Sequence, residues 1–90
     1  MQSVSIIVKG KVQGVFFRQS AKEKATELGI TGQIKNIPDG RVCIIANGET
    51  DCLNKFVDWC KRGPSGAIVS DIETRSEPFQ NFDTFSIIRQ

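Results

Sequence analysis

The stretch Val12-Gln13-Gly14-Val15-Phe16-Phe17-Arg18 sets an arginine where a strand-like run passes through a glycine and into a helical pattern. A helix start already carries unpaired amides and the positive end of the helix dipole. A cation is misplaced there unless an anion joins it. Gly10 and Gly14 free the backbone from Cβ constraints, so the loop can curl until several N–H groups aim at one point, and such a nest binds oxyanions. Arg18 adds a planar fork of donors that fits two oxygens of a phosphate or carboxylate. One such contact at about 4 Å is worth about 4 kcal/mol at an effective dielectric of about 20. That exceeds the roughly 0.3–1 kcal/mol lost by setting a cation at a helix N-terminus. The loop alone is equally consistent with glycines that only shape a connection and an arginine held in solvent.

Asn36 is the second residue of interest. It shares the parity of Ile34 at the end of a strand pattern, so its amide can reach the end of the sheet where the glycine loop lies. Its plainer reading is an asparagine leading into the turn Pro38-Asp39-Gly40. Other chemistries find little support. Histidine is absent, which removes the commonest general base and the commonest zinc ligand together. Cys43, Cys52 and Cys60 fall in a strand and on a core-facing helical stripe, without C-x-x-C spacing, so none is placed to attack an anion held by Arg18. Asp39, Asp51 and Asp58 read as solvated carboxylates rather than metal ligands, and neither a P-loop nor a dinucleotide fingerprint occurs.

These residues need elements to hold them. Val4, Ile6 and Val8 alternate with other residues, which predicts a strand over 3–11. Phe17, Ala21, Ala25 and Leu28 then recur at helical spacing, with Gly29 as a stop, which predicts a helix of about three turns. Ile30 to Asn36 and Val42 to Ala46 alternate on either side of the Pro38-Asp39-Gly40 turn and predict a hairpin. Cys52, Leu53, Phe56, Val57 and Cys60 form one stripe in a helix over 49–62, ended by Gly63-Pro64. Ala67 to Glu73 predicts a fourth strand, Ser76 to Phe82 a polar loop, and Thr84 to Arg89 a fifth strand. Helices interleaved with strands in this order pack most simply on one face of a mostly antiparallel five-stranded sheet. The expected architecture is an α+β two-layer sandwich of the ferredoxin-like, split βαβ type.

Ninety residues suit one small domain over 1–90. No apolar run approaches the roughly 18 residues that would span a bilayer. The start lacks a secretory pattern and three cysteines leave one unpaired in any disulfide scheme, so a cytoplasmic protein is expected. A scattered net charge of +2 is not the basic stripe that phosphate-backbone binding demands, so neither nucleic acid nor a membrane is an expected partner.

Gly10-Lys11-Val12-Gln13-Gly14-Val15-Phe16-Phe17-Arg18 resembles the first signature of the acylphosphatase family, G-x-V-Q-G-V-x-F-R. Gly32-Gln33-Ile34-Lys35-Asn36-Ile37-Pro38-Asp39-Gly40-Arg41-Val42 resembles its second, G-x-V-x-N-x-x-D-G-x-V, with Ile34 for one valine. The similarity extends to Gly63-Pro64 and to Phe85-Ser86-Ile87. The chain departs from the pattern at Gln33, where an aromatic residue is usual, and at Cys43, where an acidic one is. The resemblance implies a monomeric, metal-independent hydrolase without a cofactor, which converts an acyl phosphate into a carboxylate and inorganic phosphate. It also implies that Arg18 and Asn36 are catalytic. The amides of Gln13, Gly14, Val15, Phe16, Phe17 and Arg18 would hold the phosphoryl oxygens, and Asn36 would orient the attacking water. A leaving carboxylate with a parent acid of pKa about 4 departs unprotonated, so the missing histidine is no obstacle. Two other classes fit less well. An RNA-reading module of this fold expects exposed aromatics on its middle strands, and Arg41 to Ala46 has none. A module that senses phosphate without turnover would use the same groups as the enzyme.

Overall fold

The computed structural model describes residues 1–89. Its elements run β1 (Gln2–Lys11), α1 (Phe17–Glu27), β2 (Thr31–Asn36), β3 (Val42–Gly48), α2 (Thr50–Arg62), β4 (Ile68–Glu77) and β5 (Phe85–Ile87). The strands form one sheet in the order β4-β1-β3-β2-β5. Every pairing is antiparallel except β2 with β5, which is parallel. This is the expected α+β sandwich with a mostly antiparallel sheet.

The alternation read in the strands becomes the sheet's covered face. Ile6 and Val8 of β1, Ile34 of β2, and Val42, Ile44 and Ala46 of β3 are all buried. Against them lie Phe17, Ala21 and Ala25 of α1 and Leu53, Phe56 and Cys60 of α2. The four- and three-residue spacings of these side chains make one apolar stripe per helix. Aromatic rings knit the layers: Phe56 stacks on Trp59 at 6.3 Å and meets the edge of Phe85 at 5.9 Å, and Trp59 also touches Phe17 at 5.4 Å. Burial raises the Cys60 thiol well above its ordinary value, which keeps it protonated and inert.

β4 is longer than its sequence suggests. A strand ending at Glu73 and a polar loop from Ser76 are expected, yet the strand continues through Thr74, Arg75, Ser76 and Glu77. The cause is pairing with β1, which offers Ile6, Ser5, Val4 and Ser3 as partners to these residues in turn. On an edge strand with most side chains in solvent, main-chain ladder bonds sustain the strand without apolar alternation. β5 is shorter than the 84–89 expected: its parallel ladder with β2 runs only from Phe85 to Ile87, opposite Gly32 to Ile34.

The rest of the polar loop is fastened from below. Ser3 Oγ donates to Asn47 Oδ1, Asn47 Nδ2 donates to the Gln80 carbonyl, and the Gln80 N–H donates back to Ser3 Oγ at 3.4 Å. Ser3 and Asn47 are the buried polar residues of the described chain. Their mutual satisfaction makes that burial tolerable. In the β2–β3 turn, the Asp39 carboxylate accepts from the Arg41 N–H at 3.0 Å and from Arg41 Nε at 2.7 Å. The main-chain bond foremost holds the Asp39 carboxyl below its ordinary 3.8.

Candidate active site

The loop between β1 and α1 is shaped by a sequence of local constraints. The register of β1 against β4 shifts between Lys9 and Gly10, a bulge that bends the end of the strand. Val12 then drops into the core. The chain turns at Gly14 with φ 75° and at Phe16 with φ 61° and ψ 25°. A Cβ on Gly14 would meet nothing within 4 Å, so glycine serves the dihedral there and not the space. At Phe16 a bulky residue adopts the same left-handed region at a cost of roughly 1–2 kcal/mol. That strain sits directly before α1.

The helix start is left open. Phe16 gives α1 no side-chain cap, and its first turn holds no acidic residue. The Ser20 N–H returns to the Phe16 carbonyl at 3.0 Å, while the N–H groups of Phe17, Arg18 and Gln19 precede the point where a helix can satisfy its own amides. The loop is also fastened to the hairpin. Gln13 Nε2 donates to the Ile37 carbonyl at 2.7 Å and to the Arg41 carbonyl at 3.0 Å, both just beyond Asn36. One side chain thus fixes the distance between the arginine loop and the end of β2.

Between them lies a cleft of about 430 Å³. Arg18 and Asn36, far apart in sequence, both line it, together with Val12, Gly14, Phe16 and Phe17. Gln19 from α1 and Ile87 and Arg89 from the β5 end complete the wall. Among the described residues no acidic side chain lines the cleft. Asn36 Oδ1 is buried and accepts no hydrogen bond from the protein. Leaving such an acceptor unsatisfied costs about 1–3 kcal/mol, so the arrangement favours a ligand or water that donates to it. A cation, an open helix start and a lone buried acceptor together suit a tetrahedral oxyanion with a hydrogen-bond donor beside it.

Of the residues expected at the site, Gly14, Phe16, Phe17, Arg18 and Asn36 contribute to the lining, whereas Gln13 and Val15 do not. The Gln13 side chain makes the brace just described. Val15 faces the turn after α2, where a Cβ on Gly66 would lie 3.5 Å from its own Cβ. Sequence reasoning missed the brace, since a glutamine's partner across 24 residues leaves no local trace. It also missed Gln19, Ile87 and Arg89. For Arg89 a signal existed: in a strand over 84–89 it shares the parity of Ile87.

Comparison with known proteins bears on this arrangement. The sequence model of the acylphosphatase family matches residues 4–87. The chain is 41% identical over 90 residues to an acylphosphatase of Methylococcus capsulatus, covering 99% of this chain and 98% of that protein. It is 46% identical over 81 residues to an acylphosphatase of Marinobacter nauticus, covering 89% and 88%. The crystal structure of acylphosphatase from Bacillus subtilis superimposes with a TM-score of 0.96 at 37% identity, covering 99% of this chain and all of that one.

Proposed function

The chain belongs to the acylphosphatase family and is an enzyme of that family, and we propose that Arg18, Asn36 and the loop amides carry out its hydrolysis of acyl phosphates. In this reading the guanidinium of Arg18 and the main-chain N–H groups of 13–18 hold the three phosphoryl oxygens. The Asn36 carboxamide accepts a hydrogen bond from a water and aims its lone pair at phosphorus. The water oxygen forms the new P–O bond in line with the bond that breaks. The acyl carboxylate leaves with the electron pair, and the water's proton ends on the phosphate. Phosphoryl transfer needs positioning and charge stabilisation more than covalent help, and this set of groups supplies both. No step calls for a metal or a cofactor.

What supports the reading above all is the buried, unpartnered Oδ1 of Asn36 in the cleft that Arg18 also lines. An acceptor is what a water needs in order to present its lone pair elsewhere. The purified protein should release phosphate from benzoyl phosphate in the presence of EDTA. Arg18→Ala and Asn36→Ala should each lower turnover by about 10²-fold, the scale of one lost transition-state donor or orienting group. Full activity in either variant would remove that residue from the mechanism, and loss of wild-type activity in EDTA would remove the metal-free route.

A further inference from the structure

A second arginine lines the cleft. Arg89 lines it with Arg18 and Asn36, although it lies outside both signature segments. The parallel pairing of β2 with β5 sets Ile34 opposite Ile87, and the Ile88 N–H donates to the Ile34 carbonyl at 2.8 Å. Arg89 follows two residues past the end of β5, so the chain brings it to the cleft from the edge that borders β2, the strand that ends on Asn36. Two like charges in one cleft that no acidic side chain of the described residues lines repel each other. A doubly charged anion between them turns that repulsion into attraction.

Resting on the proposed roles of Arg18 and Asn36, we infer that Arg89 is a second cation for the phosphoryl group, acting from the side of the attacking water. In-line displacement decides the side. If Asn36 holds the water, the acyl group departs from the opposite face, away from a cation that enters the cleft from the β2 edge. Arg89 therefore favours the dianionic phosphoryl group and the phosphate product rather than the acyl chain. Because Arg89 is exposed, its contribution is smaller than that of a fixed, desolvated donor.

The test uses inorganic phosphate as a competitive inhibitor of benzoyl phosphate hydrolysis. In Arg89→Gln the inhibition constant for phosphate should rise about tenfold, below the 10²-fold scale of a fixed donor. The tightening of inhibition as phosphate passes from monoanion to dianion should also shrink, and Arg89→Lys should restore most of both effects. Unchanged inhibition in Arg89→Gln, with turnover intact, overturns the inference while leaving the roles of Arg18 and Asn36 standing. A loss accompanied by a lower melting temperature, with no change in the monoanion-to-dianion dependence and no rescue by lysine, also overturns it, since that pattern belongs to a structural residue. If Arg18→Ala or Asn36→Ala retains full turnover, the foundation fails, and this inference with it.

Discussion

At the scale of the residue, Asn36 pays in stability for the acceptor it presents to the cleft. Its Oδ1 is buried without a protein partner, which costs about 1–3 kcal/mol in the folded chain. Asn36→Ala removes that penalty along with a few side-chain contacts. It should therefore melt at or above the wild-type temperature, by a few degrees at about 4–8 °C per kcal/mol, while losing turnover. A thermal melt followed by circular dichroism checks this, and a drop of several degrees would mean that Oδ1 is stabilised in the free protein after all. Phe16 carries a comparable cost in its backbone, being a bulky residue in a left-handed conformation. Both costs fall within one short reach of the cleft, where strain of this kind is expected to serve function.

At the scale of the element, the arginine loop depends on α2 as much as on its own glycines. Gly63 ends α2 with φ 67° and ψ −171°, a region almost closed to other residues. A Cβ there would lie 2.7 Å from Cε2 of Phe17, the first residue of α1 and the neighbour of Arg18. Gly63→Ala should thus cost about 2 kcal/mol or more, from backbone strain and overpacking together. It should lower the melting temperature and also reduce kcat/KM by displacing the start of α1. Wild-type stability in this variant would show that Phe17 yields without resistance. The helices and the hairpin were legible because their apolar periods and turn residues are local. The extension of β4 to Glu77 was not legible, because it follows from the ten-residue partner strand β1 and not from anything in Thr74 to Glu77.

At the scale of the whole molecule, contacts between distant segments hold the far end of the sheet as they hold the site. The Ser3–Asn47–Gln80 network joins β1, β3 and the loop before β5. Asn47→Ala should destabilise the fold by about 1–3 kcal/mol, since it leaves the buried Ser3 hydroxyl without its acceptor. Amide exchange around Gln80 should quicken in the same variant, and protection unchanged there would show that the network does not fasten the loop. By itself the sequence determined the order of the elements, the faces they bury and Arg18 and Asn36 as residues to look for at one end of the sheet, because these rest on local periodicity, turn chemistry and signature spacing. Only the tertiary structure decided that Gln13 braces the loop against the hairpin, that Asn36 Oδ1 stays without a partner, and that Arg89 joins the cleft. Each of those depends on which strands become neighbours and in what register, and that is settled by the packing of the whole chain.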